Sequence, residues 1–286
     1  MNFLSRFVPE GNTKGNLRLW YYLLTGKIDQ HPETGERLPF TIRYNPWHRL
    51  YRLRFDEGES AGRELLFPPF YDPALHPRQI TAPWAFLWGV GREVGSYFAG
   101  PELKEGDLVV DAGACPGDFS LLAAAAVGLS GRVVCLEADG YSAHYLRQVV
   151  ELNGGANCDV CHLALAGRSG YLPTGDGDLG TKTSDAGCGG RIPATSYDDL
   201  IGKHDPQRLC RHVLKMDIEG AEMDVVPAVL AGNYQPDLWI IASYHPDRET
   251  GEPTHVRLAP MLTAAGYECS LGAHHHKILF ARRCAP

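Results

Sequence analysis

The stretch Leu108-Val109-Val110-Asp111-Ala112-Gly113-Ala114-Cys115-Pro116-Gly117-Asp118-Phe119 decides the fold of this chain. Three apolar residues running into an acid read as a short strand buried on both faces. A glycine-bearing turn follows, and residues 119–127 then read as an Ala/Leu-rich helix. Working outward, the same unit recurs. Residues 132–136 form a second strand that ends in Glu137 and leads to a helix over 142–153. A third strand covers 158–164. A fourth, 213–216, ends in Asp217 before a helix that begins near Ala221, and a fifth, 238–243, precedes a helix over 256–265. Strands alternating with helices predict a doubly wound parallel α/β sheet. The last two strands, 267–271 and 277–281, are joined by too few residues for a parallel crossover, so the sheet is expected to finish with an antiparallel strand.

Composition excludes several classes. Of 286 residues 44% are apolar, and Gly and Pro number only 32 and 20, which rules out a fibrous or disordered chain. No apolar run approaches the ~18 residues of a membrane helix. Met1 to Arg6 show no secretory leader, so a cytoplasmic location is expected. Eight scattered cysteines fit free thiols better than a disulfide scaffold. Residues 1–100 hold 12 Lys/Arg against 10 Asp/Glu, and the remainder 15 against 24. An acidic second part is a poor match for a phosphate backbone, which disfavours nucleic acid as substrate. The first hundred residues also carry 18 of the 28 aromatic rings, too many for a disordered tail. A short helix over 17–25, one or two strands over 40–55 and a helix over 84–98 are expected there. The chain therefore divides into an accessory region, 1–100, and a core domain, 101–286. The accessory region is expected to shape an acceptor pocket or support a homodimer.

The first turn is D-x-G-x-x-x-G, not the G-x-G-x-x-G of a pyrophosphate-binding turn. Gly113 permits a tight turn off the strand and Gly117 a close approach at the helix start. Free N–H groups at such a helix start favour an anion, a small carboxylate as readily as a phosphate. Glu137 stands 20 residues beyond Gly117, at the end of the second strand. There an acid accepts two hydrogen bonds from a ribose diol, which points to a nucleoside ligand.

These segments, together with Gly131-Arg132-Val133-Val134, resemble a class I S-adenosylmethionine-dependent methyltransferase. Leu165-Ala166-Gly167-Arg168-Ser169-Gly170, Thr195-Ser196-Tyr197-Asp198-Asp199-Leu200 and Leu214-Lys215-Met216-Asp217-Ile218-Glu219-Gly220-Ala221-Glu222 are similar to the FkbM family. The likeness covers about residues 105–283. It implies a Rossmann-like sheet of seven strands, the last antiparallel, and methyl transfer from S-adenosylmethionine to a hydroxyl of a small molecule, sugar, glycolipid or polyketide-like product. It places the cofactor against Asp111, Gly113, Ala114, Gly117 and Phe119, with Glu137 and Ala138 at the ribose, Leu163 and Ala164 at the adenine, and Asp217 from the fourth strand. Two places depart from the family pattern. Cys115-Pro116 stands where members usually carry Asn and an aliphatic residue, and Ala242-Ser243-Tyr244-His245-Pro246 follows the fifth strand where an acid is common.

Methyl transfer depends on alignment of acceptor and donor, and a neutral hydroxyl gains from losing its proton during attack. The candidate catalytic residues lie at strand ends beside the cofactor: Asp217, Lys215 and His245, whose imidazole titrates near neutrality. Glu219 and Glu222 sit where acids also stabilise a helix N-terminus. With Asp217 they carry donors for a hard cation, but the resemblance requires no metal and none is expected. Cys158 and Cys161, three apart on a strand, point to opposite faces and make no metal pair. His274-His275-His276 is a lone tract on a turn. The rivals are a non-catalytic module that binds a nucleoside or a protein partner on the same fold, and a nicotinamide oxidoreductase, which the missing G-x-G-x-x-G disfavours.

Overall fold

The computed structural model describes residues 29, 37–45, 47–48, 50–58, 60–68, 90–91, 93–173, 191–272 and 277–284. The expected helix over 17–25, residues 84–89 of that over 84–98, and the histidine tract lie outside these residues; residues 90, 91 and 93–97 are helical. Two compact units divide at Gly95 and Ser96, five residues before the boundary expected from composition.

In the first unit, β1 (Phe40–Asn45), β2 (Leu50–Phe55) and β3 (Glu64–Phe67) form an antiparallel meander. Alternation sets its faces: Phe40, Ile42, Tyr51, Leu53, Phe55, Leu65 and Phe67 are buried, while the residues between them turn outward. The third strand was not foreseen.

The second unit holds a seven-stranded sheet. Its strands are β4 (Leu108–Ala112), β5 (Arg132–Glu137), β6 (Cys158–His162), β10 (His212–Met216), β11 (Leu238–Ala242), β12 (Tyr267–Leu271) and β13 (Ile278–Arg283). Across the sheet they run β12-β13-β11-β10-β4-β5-β6. All pairs are parallel except the two that β13 makes, with β11 and β12, so the last strand of the chain is antiparallel and lies inside the edge. The connecting helices are α1 (Asp118–Val127), α2 (Gly140–Leu152), α3 (Tyr197–His204), α4 (Glu222–Ala231) and α5 (His255–Ala264). Every residue of β4, β10 and β11 is buried, which is why these strands are apolar apart from Asp111, His212 and Lys215. Val110 and Ala112 of β4, Leu214 and Met216 of β10, and Trp239 and Ile241 of β11 pack with Tyr197, Val225 and Leu258 from α3, α4 and α5. The intervening residues face the other side, where Asp111 meets Ser120 of α1.

The third strand is shorter than its sequence suggests. After His162 the N–H of Leu163 bonds to the carbonyl of Glu137 at 3.0 Å. The chain then enters a separate sheet in which β7 (Ala164–Leu165) and β8 (Gly170–Pro173) flank β9 (Arg191–Thr195). From β4 the chain moves outward through β5 to β6, then returns to β10 on the other side of β4. The sheet reverses its order between β4 and β10, and ligands of such sheets bind outside the carboxyl ends of the strands at that point. Among the described residues no helix is long and apolar enough to cross a membrane.

Candidate active site

Asp111 and Lys215 are the next-to-last residues of the two strands at the reversal and are register partners. Lys215 Nζ lies 3.0 Å from Asp111 Oδ1 and donates to the carbonyl of Gly113 at 3.1 Å. Ser120 Oγ donates to Asp111 Oδ2 at 2.6 Å. The ammonium also stands 5.1 Å from the ring centroid of Tyr97 and 5.6 Å from that of Phe119, within cation–π range. Burial opposes its charge, but the carboxylates of Asp111 and Asp217 outweigh that and hold its pKa above the ordinary lysine value. Lys215 is thus a fixed cation that positions the first turn. It is not a base.

That turn is knitted down. The N–H groups of Gly113 and Ala114 both donate to the Leu136 carbonyl, at 3.0 and 3.1 Å. Cys115 N–H donates to Glu137 Oε2 at 3.2 Å, and the Cys115-Pro116 peptide is cis. Three N–H groups of this turn, those of Gly113, Ala114 and Cys115, are therefore taken up by the neighbouring strand end. Gly113 has φ +74°, and a Cβ there would fall 1.9 Å from the Asp217 carbonyl oxygen. Only glycine lets the two strand-end loops cross this closely.

Glu137 sits at the carboxyl end of β5, partly buried, with Oε1 taking the Asp139 N–H at 3.0 Å. Burial raises its pKa, and the two backbone N–H groups work against that rise. Each oxygen has accepted one bond and retains a second lone pair. Beside it, Ala138 packs with Ala164, Ile192 and Ala194, Leu163 is half-buried, and His162 Nε2 lies 3.0 Å from the Ala138 carbonyl. A carboxylate with spare acceptor capacity next to a small apolar surface suits a nucleoside. Cys158 and Cys161 do face opposite ways: the Cys158 thiol points to the Ser120 carbonyl, and Cys161 packs on the core beneath the other face.

Asp217 and His245 come together from the ends of β10 and β11. His245 is 5% exposed. Its Nε2 lies 3.4 Å from Asp217 Oδ1 and 3.6 Å from Glu219 Oε2, and its Nδ1 3.2 Å from Glu222 Oε1. Burial disfavours the imidazolium, yet Glu222, Asp217 and Glu219 outweigh it and raise the pKa. Tyr97 donates to Asp217 Oδ2 at 2.6 Å. Glu222 Oε1 also receives the Ile218 N–H at 2.9 Å, so this acid braces the loop before α4. Tyr97 and the Glu222 brace were missed in the sequence, Tyr97 because no motif surrounds it.

A family model for the FkbM methyltransferase domain matches residues 111–269, more than half of the chain and every residue of the site just described except Tyr97. The chain belongs to the FkbM methyltransferase family. Its sheet order and antiparallel last strand are those of the class I S-adenosylmethionine-dependent methyltransferase fold. Similar solved structures include Aeropyrum pernix fibrillarin with natively bound S-adenosyl-L-methionine (13% identity, 85% of this chain and 99% of that one, TM-score 0.42). Precorrin-6y C5,15-methyltransferase from Geobacter metallireducens is another (13%, 68% and 88%, TM-score 0.41). A third is a methyltransferase from Geobacter sulfurreducens (17%, 76% and 91%, TM-score 0.41). No curated protein matches the chain.

The FkbM site contains one acid held far from its ordinary state. Burial pushes the Asp118 carboxyl up to about 7, the charge of Asp111 adding to the effect and Lys215 opposing it. The folded chain then binds a proton that the unfolded chain has released between pH ~4 and ~7, so this residue's contribution to stability falls as pH rises through that window. Asp118→Asn removes the ionisation and keeps the size and shape of the side chain. Its melting temperature should exceed that of the parent by a margin that grows from pH 5 to pH 7 and is level above. Melting curves at pH 5, 6, 7 and 8 check this, and a margin independent of pH would contradict it.

Proposed function

We propose that this FkbM-family chain is an S-adenosylmethionine-dependent O-methyltransferase acting on a hydroxyl of a small molecule, sugar or glycolipid. The observation that carries the reading is the pairing of Glu137 with the Asp217–His245 cluster on either side of the strand reversal. One side suits a ribose and the other an acceptor.

On the cofactor side, Glu137 accepts the two ribose hydroxyls with its remaining lone pairs, while Ala138, Leu163 and Ala164 offer apolar surface to the adenine. Gly113, Ala114, Gly117 and Phe119 shape the methionine end, and Asp111 and Lys215 hold that turn from beneath. Bound there, S-adenosylmethionine supplies a methyl group activated by a sulfonium. On the acceptor side, Asp217 and His245 orient the attacking hydroxyl and receive its proton as the oxygen–carbon bond forms and the sulfur–carbon bond breaks. Nδ1 is engaged by Glu222, so Nε2 is the nitrogen that faces the acceptor.

Two outcomes follow. Glu137→Ala should weaken S-adenosylmethionine binding at least tenfold by calorimetry, and unchanged affinity would remove Glu137 from the ribose. His245→Ala should lower turnover at least tenfold, read as S-adenosylhomocysteine formed with a methyl acceptor found by mass-spectrometric screening, while cofactor affinity stays at the parental value. Full activity in that variant would retire His245 from the acceptor side.

A further inference from the structure

The geometry around His245 does not fit hydrogen bonding alone. Its Nδ1 has a partner in Glu222 at 3.2 Å. Its Nε2 has none: Asp217 Oδ1 and Glu219 Oε2 stand at 3.4 and 3.6 Å, beyond the range of a good N–H···O bond. Donor atoms of Asp217, Glu219 and His245 all lie within 4.8 Å of one another. Ligand atoms held at roughly 2.1 Å from one ion lie about 3.0 to 3.5 Å apart. The two separations from Nε2, 3.4 and 3.6 Å, lie around the upper end of that range, close enough for the three donors to converge on one ion.

The surroundings agree. A metal-binding imidazole ordinarily gives its other nitrogen to a carboxylate, which fixes the ring and leaves one lone pair for the ion. Glu222, fully buried, does this for His245. Tyr97 ties up Asp217 Oδ2 at 2.6 Å and so aims Oδ1 inward. Glu219 reaches the cluster from a backbone at φ +57°, followed by Gly220 at +95°, and its carboxylate lies largely exposed, open to an entering ion. Three carboxylates face one imidazole, and among the described residues no Lys or Arg forms an ion pair with any of them. Lys215, the nearest lysine in sequence, is committed to Asp111.

We infer that Asp217, Glu219 and His245 form a binding site for one divalent cation of the Mn2+ class, with Glu222 and Tyr97 as positioning residues. A mixed set of two carboxylates and one imidazole suits Mn2+ better than Ca2+, which takes oxygen alone, or a thiolate-seeking ion. Three protein ligands leave coordination positions open. With the ion bound, His245 Nε2 is a ligand and no longer receives the proton; a hydroxyl entering an open position instead has its pKa lowered by the ion and gives its proton to solvent. This last step rests on the methyl-transfer reading above, and it narrows the acceptor to a hydroxyl that can reach the ion. The binding site itself rests on the side chains only.

The test is titration of the full chain with MnCl2, followed by loss of the free-ion electron paramagnetic resonance signal, without cofactor or acceptor present. One ion should bind per chain. Glu219→Gln, an exposed substitution that leaves the core intact, should weaken binding at least tenfold, as should His245→Ala, with circular dichroism confirming that both are folded. Absence of stoichiometric Mn2+ binding, or parental affinity in both variants, would overturn the site. Failure of the methyl-transfer reading shows elsewhere, as absence of S-adenosylmethionine binding in calorimetry, and leaves the Mn2+ result standing.

Discussion

A buried cross-strand ion pair, Asp111 with Lys215, sets the geometry at the centre of this molecule. The two residues are register partners on neighbouring strands, both almost wholly removed from solvent. Desolvating each charge costs several kcal/mol, and only good geometry with further hydrogen bonds offsets it. Those bonds are present: Ser120 donates to the acid, the Gly113 carbonyl accepts from the ammonium, and two aromatic rings stand beside the cation. The pair therefore does more than join β4 to β10. Through Gly113 it holds the first turn, and through Tyr97 and Asp217 it borders the loop that follows β10. Both sides of the candidate site are built on it.

Much of the fold was legible because strands buried on both faces are mostly apolar, and β4, β5 and β10 each run into an acid at or beside the strand end. That pattern located β4, β5, β10 and β11 to within a residue or two. The short link between β12 and β13 required the antiparallel finish by length alone. The sheet of β7, β8 and β9 was not legible, since Pro193 interrupts its central strand and β7 has only two residues. The family motif over 195–200 was recognised as a likeness while the helix it begins, α3, went unread. Ser196 caps that helix, its Oγ accepting the Asp199 N–H at 3.1 Å.

The site was legible in its acids and not in their partners. Glu137, Asp217 and His245 were picked out by their positions at strand ends. Tyr97 meets Asp217 across 120 residues of sequence and Glu222 meets His245 across 23, contacts that only the strand order creates. Three N–H groups of the first turn that were expected to be free are taken for a related reason. Those groups are satisfied by Leu136 and Glu137 from the neighbouring strand, a pairing that no reading of the loop alone contains. Glu137 consequently both fastens the turn and keeps acceptor capacity for a ligand. Glu219 and Glu222, which sequence left between capping and chemistry, divide: neither caps α4, whose N-terminus has no side-chain cap, and both face His245.

The dependence of the site on the buried pair is measured most directly in the double variant Asp111→Asn/Lys215→Met. Removing both charges avoids a stranded ion, so the fold should survive with a melting temperature near the parent's. Calorimetry with S-adenosylhomocysteine should then show affinity reduced at least tenfold, because nothing anchors the Gly113 carbonyl. A folded double variant that binds this ligand as tightly as the parent would contradict the account.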